Sequence, residues 1–208
     1  MAFLIERDWN LNTAPMFEFE PDWAPGGPEL EDQTWFMIGW GLRIPKNRIP
    51  ERAIMKTSHK SLGDVIGLDA YTWCVSDRFR SVVERIAPGQ VEFIEMALQR
   101  KGGKPINDRS HYFINVLPRL DTIIWDKTTT LVVGTERDFR GNPDVETTWT
   151  RKPIIALAKA ARPSGIHIWH ETLHWSRFAN WTFASNDLVE GLKAAGVSGL
   201  IYIPVNED

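Results

Sequence analysis

The chain has a single cysteine, Cys74, in 208 residues. One thiol excludes an intrachain disulfide framework and a cysteine-rich metal site. A strong charge of either sign is also lacking, for the formal net charge at pH 7 is −3. That balance speaks against a general nucleic-acid binder, which needs a cationic surface to displace counterions. No apolar run approaches the roughly 20 residues of a membrane-spanning helix. The opening MAFLIERDW meets acidic and aromatic residues too early for a secretory signal. The expectation is a soluble, cytoplasmic protein without a membrane partner. Familiar catalytic fingerprints are absent as well: there is no G-x-S-x-G, no P-loop and no dinucleotide-binding glycine motif. Cys74 sits in an apolar run, which reads as a small buried residue and not as a nucleophile.

What is present is an ordinary globular composition, with 43% hydrophobic and 25% charged residues. Ten tryptophans supply large rings for a core or an interface. The charges are unevenly placed. Among residues 1–35, Glu6, Asp8, Glu18, Glu20, Asp22, Glu29, Glu31 and Asp32 face Arg7 alone, a net of −7, and the remainder is net positive. An acidic arm on a mildly basic body can steer a basic partner, or it can fold back onto its own basic surface.

Residues 10–34 are rich in Pro, Gly and acids and read as loop. TWFMIGWGLRI, QVEFIEMALQR, HYFINVL, LDTIIWD, TTTLVVG and GLIYIPV read as strands, and AYTWCV is a short apolar run before Ser76. Ile154 to Ala161 is Ala-rich and reads as a short helix. Ser76-Asp77 can cap a helix whose apolar face is Phe79, Val82, Val83 and Ile86. Ser185-Asn186 can cap another, lined by Leu188, Leu192 and Ala195 and closed by Gly196. A slide of 109 positions superposes Ser185 on Ser76, Leu188 on Phe79, Leu192 on Val83, Leu200 on Val91 and Tyr202 on Phe93. The match suggests a pseudo-repeat of helix–turn–strand units. The class expected is α+β in one domain over residues 1–208. An acidic, loop-rich arm (1–34) would precede an α+β body (35–208), a mixed, mostly antiparallel sheet with a few short helices on one face.

One motif carries chemistry on its face. The stretch GIHIWHETLHW holds His167, His170 and His174, three of the five histidines, and His170-Glu171-Thr172-Leu173-His174 fits H-E-x-x-H. Catalytic zinc needs that string on a helix, so that both histidines share a face and the glutamate reaches a metal-bound water. Pro163-Ser164-Gly165 stands just before it, and Ile166 and Ile168 alternate with His167 as in a strand. A third ligand is unclear: Asn180 occupies one expected position, Arg177 replaces a glycine, and Glu190 belongs to the last helix. A zinc-dependent hydrolase using His170, Glu171 and His174 is the alternative reading, and a binding protein with no metal or cofactor is the leading one.

Three blocks resemble a known family. They are VSDRFRSVVERIAPGQVEFIEMAL, HYFINVLPRLDTIIWD, and IHIWHE followed by WTFASNDLVEGLKAAGVSGLIYIPV. Tyr112, Asn115, Val116, Leu117 and Asp121 fit the family's middle pattern. Ser185, Leu188, Leu192, Ala195, Gly196, Gly199, Tyr202, Pro204 and Val205 fit its ending. Over about residues 71–205 the chain resembles the bacterial immunity proteins encoded beside polymorphic and type VI secreted toxins, long described only as a domain of unknown function. The resemblance implies a cytoplasmic protein that neutralises a cognate toxin by binding it, and it brings no catalytic residues across. Loops on a rigid scaffold commonly carry recognition. The expected contact segment is therefore 17–35, with Asp22, Glu29, Glu31 and Asp32 for a basic cleft and Trp23 and Trp35 as aromatic anchors.

Overall fold

A computed structural model describes residues 1–8, 17–20, 38, 41–58, 62–67, 73–106, 110–124, 127–128, 155–171 and 181–208. Within them are twelve strands: β1 (Ala2–Arg7), β2 (Phe17–Glu20), β3 (Arg52–Met55), β4 (Val65–Gly67), β5 (Trp73–Ser76), β6 (Val91–Arg100), β7 (His111–Val116), β8 (Arg119–Leu120), β9 (Ala156–Leu157), β10 (Ile168–Glu171), β11 (Thr182–Ser185) and β12 (Leu200–Glu207). Two α-helices join them, α1 (Asp77–Ile86) and α2 (Asn186–Ala194). No helix among the described residues is long and apolar enough to cross a membrane.

The expected single sheet with helices along one face is not what forms. The molecule is mostly β, with two curled six-stranded sheets of order β8-β10-β11-β1-β12-β9 and β2-β3-β6-β7-β5-β4. Both helices share one core with both sheets. That core gathers Phe3 and Ile5 of β1, Tyr112, Ile114 and Val116 of β7, Phe79, Val82 and Val83 of α1, and Leu188, Val189 and Leu192 of α2. The outer faces are covered too. Phe113, Ile94, Met96 and Cys74 meet Ile44 and Ile49 outside one sheet, and Leu4, Trp169, Phe183 and Val205 meet Ile155 and Leu157 outside the other. Strands covered on both faces need apolar residues at every position, and β1, β7 and β11 are buried along nearly their whole length.

The repeat is larger than a helix and a strand. β1, β5, α1 and β6 begin at residues 2, 73, 77 and 91, and β7, β11, α2 and β12 begin at 111, 182, 186 and 200, a constant difference of 109. The first strand of each half lies in the other half's sheet. β1 is antiparallel to both β11 and β12, and β7 is antiparallel to both β5 and β6. The register agrees as well: Phe3 is opposite Ala184, and its counterpart Tyr112 is opposite Val75. One backbone hydrogen bond recurs in both halves, from Leu117 N to the Gln90 carbonyl (2.8 Å) and from Asp8 N to the Gly199 carbonyl (3.0 Å). A cation over two rings recurs too. Arg80 lies 4.6 Å from the Tyr112 ring centroid and 5.6 Å from Phe93, and Lys193 lies 5.4 Å from Phe3 and 5.5 Å from Tyr202.

Local chemistry sets the helix ends. The Ser76 hydroxyl accepts from Phe79 N at 3.5 Å, and the Ser185 hydroxyl from Leu188 N at 3.3 Å, so each satisfies an amide that has no partner within the helix. Asp77 and Asp187 occupy the first turns and Arg85 and Lys193 the last, as the helix dipole favours. The helices meet at Gly191, where a Cβ would stand 2.5 Å from Ile86 Cδ1 and 3.2 Å from Val82 Cγ1.

Other expectations need correction. The Ala-rich stretch after Ile154 forms β9 and a 3-10 turn at Lys159–Ala161. Pairing of Ala156 with Asn206, and burial of Ile155, Ala156 and Leu157, override its helix propensity. In TWFMIGWGLRI, Ile38 is helical and residues 41–44 are not strand, and the rest of that stretch lies outside the described residues, as does TTTLVVG. In LDTIIWD, Leu120 ends β8 and Ile123 makes an isolated bridge to Leu157; Asp121, Thr122 and Ile124 are not strand, and the last two residues lie outside the described ones.

The caps and the core set the cost of three substitutions. Ser185→Ala should cost about 1 kcal/mol. Ser76→Ala should cost more, about 2 kcal/mol, because its hydroxyl also donates to the buried Asp64 carboxylate at 2.7 Å. Leu192→Ala should cost about 2–5 kcal/mol, since Leu192 is fully buried between the halves. Urea unfolding measures all three, and a near-zero change for Leu192→Ala would contradict the packing described.

Candidate functional site

The residues expected to contact a partner, Asp22, Trp23, Glu29, Glu31, Asp32 and Trp35, all lie outside the described residues. The other candidate, H-E-x-x-H, falls partly within them. His170 and Glu171 lie on β10, paired with β11 on one side and β8 on the other. Adjacent strand residues point to opposite faces. The pair therefore cannot adopt the helical arrangement in which a glutamate serves a water on a histidine-bound metal. His174 lies outside the described residues.

Glu171 is 5% exposed, on the same face as Trp169. Its carboxylate accepts from Thr122 N at 2.7 Å and from the Thr122 hydroxyl at 2.5 Å. Trp169 Nε1 in turn donates to that hydroxyl at 3.3 Å. The glutamate thus ties β10 to the segment after β8. Burial pushes its carboxyl up to about 7, against the Thr122 hydrogen bonds, which favour the charged form, and with a smaller push from Asp121.

His170 is tuned the other way. Burial, and then the guanidinium of Arg119, hold its imidazole well below the ordinary histidine range. A neutral ring can ligate a metal, but a cation beside it repels a second cation. Arg119 is itself lowered to about 10 by burial. Its guanidinium donates to the carbonyls of Val116, Pro118 and Ile38. This donor set suits a structural clamp and not a zinc centre. Among the described residues no group of three or more His, Cys, Asp or Glu could hold a metal ion.

Two further groups bear on chemistry. Cys74 is fully buried, and burial raises its thiol far from the reactive range, as its apolar surroundings in the sequence suggested. Asp64 is 4% exposed and accepts from the hydroxyls of Ser76 (2.7 Å) and Ser198 (2.9 Å), from Ser198 N (3.1 Å) and from Arg78 (3.3 Å). Burial alone would raise it, but these partners outweigh burial and hold it below the usual carboxylate range. Asp64 thereby joins the β4–β5 edge of one sheet to the turn before β12 in the other. It was not singled out in the sequence, because its partners are 12 and 134 residues away.

The raised carboxyl of Glu171 gives a pH-dependent prediction. Its folded-state value is near 7 against an unfolded value near 4.5, so between those values the folded state binds more protons. Its contribution to stability is therefore greatest below about pH 4.5 and is lost as pH rises through 7. The depressed His170 works in the opposite sense, so the total slope does not isolate Glu171. The difference between variants does. Glu171→Gln keeps the shape and cannot ionise, so its stability relative to wild type should rise from pH 5 to pH 8 by on the order of 1–3 kcal/mol. A constant difference across that range would show that Glu171 is already ionised at pH 5.

Comparison with known proteins gives the remaining finding. A family model described as an immunity protein family (Imm11) matches residues 4–207. No curated protein matches the chain. The match is wider than the blocks over 71–205 that first suggested the likeness, in keeping with the place of β1 at the centre of a sheet. On a match over nearly its whole length, the chain belongs to the Imm11 immunity protein family.

Proposed function

We propose that the protein neutralises a cognate secreted toxin in the cytoplasm of the producing cell by stoichiometric binding, without chemistry of its own. The observation that carries this reading is the family match over residues 4–207. The disposition of reactive groups supports it: Glu171 is spent on Thr122, Arg119 on backbone carbonyls, and Cys74 is enclosed. Core clusters cover much of both sheets, and loops and edges are the usual carriers of binding on a rigid scaffold. The toxin belongs to a polymorphic or type VI secreted set whose gene adjoins this one. Neither nucleic acid nor membrane is a partner.

The acidic segment is the first part of the interface we propose. Asp22, Glu29, Glu31 and Asp32 meet a basic cleft of the toxin, and Trp23 and Trp35 anchor the contact. Rim charges act mainly on association and buried aromatic anchors on dissociation. Expression of the adjoining toxin gene should arrest growth, and co-expression of this protein should restore it. In surface plasmon resonance, neutralising the four carboxylates together should slow association about tenfold and flatten its salt dependence. Trp23→Ala should speed dissociation. Unchanged rates for both, with unchanged melting, would place the interface elsewhere, and failure of the wild-type protein to protect cells would overturn the function.

A further inference from the structure

The last residues of β12 and the residues just past β6 differ in charge. β12 finishes in acids that the molecule neutralises itself. Glu207 pairs with the N-terminal amine of Met1 at 2.7 Å and with Arg162 at 3.0 Å, and Asp208 pairs with Lys127. β6 instead continues into the hairpin tip Arg100-Lys101-Gly102-Gly103-Lys104. The tip is closed by hydrogen bonds from Arg100 N to the Lys104 carbonyl (2.7 Å) and from Gly103 N to the Arg100 carbonyl (3.0 Å), and Ile106 N returns to the Leu98 carbonyl (3.1 Å). Gly102 and Gly103 have φ of +93° and +80°. Those values, and not crowding, demand glycine, since a Cβ at either would meet nothing within 4 Å.

This turn holds two lysines out from the body. Lys101 and Lys104 are exposed, and among the described residues neither has an ion pair. Parallel pairing of β3 with β6 sets Met55 opposite Arg100, which brings Lys56 to the same end of the sheet. Lys56 is paired with Glu18 of β2 at 3.3 Å. The result is a cationic corner on a stiff support. It lies at the end of β2 where Phe17 stands opposite Met55, and the strand runs from there to Glu20 opposite Arg52.

We propose that the corner formed by Lys56, Lys101 and Lys104 is a contact surface for an acidic patch on the partner toxin. The inference rests on the toxin-binding function proposed above and names a second, oppositely charged part of that interface. Lysines on a fixed hairpin act as point charges that orient an encounter. A polyanion such as DNA is the less suited partner. It needs a cationic track along its phosphates, and this chain carries a net charge of −3, with −7 in its first 35 residues. A toxin bearing an acidic patch for the corner and a basic cleft for the segment past β2 could dock in one register only.

The test is surface plasmon resonance with the toxin encoded by the adjoining gene, on the full chain. Lys101→Glu/Lys104→Glu should slow association about tenfold or more and flatten its dependence on ionic strength. Lys46→Glu/Lys159→Glu, which makes the same change in net charge away from the corner, should alter association by less than about threefold. Melting curves should coincide for all three proteins, because every one of these side chains is exposed. Equal association for wild type and the corner variant would overturn this inference and leave toxin binding standing. Absence of binding by the wild-type chain would overturn both. Binding of a 20-base-pair duplex at about 0.15 M salt, lost in the corner variant, would overturn it in favour of nucleic acid.

Discussion

Six residues at the start of the chain fill a slot between two strands made at its end. Ala2 stands opposite Ser185 on one side and Val205 on the other. β11 and β12 are both antiparallel to β1, so without it they would be parallel neighbours with an empty lane between them. β7 fills the same lane between β5 and β6. Neither half can therefore complete its sheet from its own residues. The exchange makes the two halves one cooperative object, and it places much of the stabilising contact between positions far apart in sequence. Such contacts carry a large loop-closure entropy before they form, which slows folding more than it weakens the folded state.

The same exchange explains where polar residues are buried. When first strands cross over, the edge of each sheet meets the partner half, and its amides need acceptors there. Gln90, in the turn between α1 and β6, supplies them on one side: its side-chain oxygen accepts from His167 N (2.8 Å) and Ile168 N (3.2 Å), and its amide donates to the Gly165 carbonyl. Asp64 does the corresponding work on the other side, through Ser198. A buried carboxylate is unfavourable unless its lone pairs are engaged. Asp64, with four donors that include the Arg78 guanidinium, stays charged. Glu171 is pushed toward neutrality because burial, helped by the nearby Asp121, outweighs its hydrogen bonds from Thr122 and Ile123.

Much of the repeat was legible in the sequence. Ser76 and Ser185 announce caps, and the apolar positions after them register over 109 residues because each must face the same shared core. β1 escaped because a strand buried on both faces has no alternation to display. AFLIER reads as a short apolar start, and its likeness to HYFINV becomes visible only when the slide is carried back to residue 2. The division into two sheets was not legible either, since it depends on which strand enters which half. Of the metal motif, His170 and Glu171 lie on a strand, as the alternation of Ile166, His167 and Ile168 suggests, and the other three residues lie outside the described ones. The clamp made by Glu171 was not foreseen, because Thr122 is 49 residues away.

A duplicated scaffold also sorts its own surface. Features present in both halves, such as the caps, the shared backbone hydrogen bond and the cation over two rings, answer demands common to both, which are demands of folding. Features present in one half alone answer to something else. The two lysines of the hairpin tip after β6, exposed and without an ion pair among the described residues, meet no such demand. Strand β2 pairs antiparallel to β3, much as Ile123 bridges antiparallel to Leu157 of β9, and it leads into the most acidic stretch of the chain. A partner that met both these lysines and the acidic stretch would be held in one orientation over its inverse, because the inverted encounter sets like charges together.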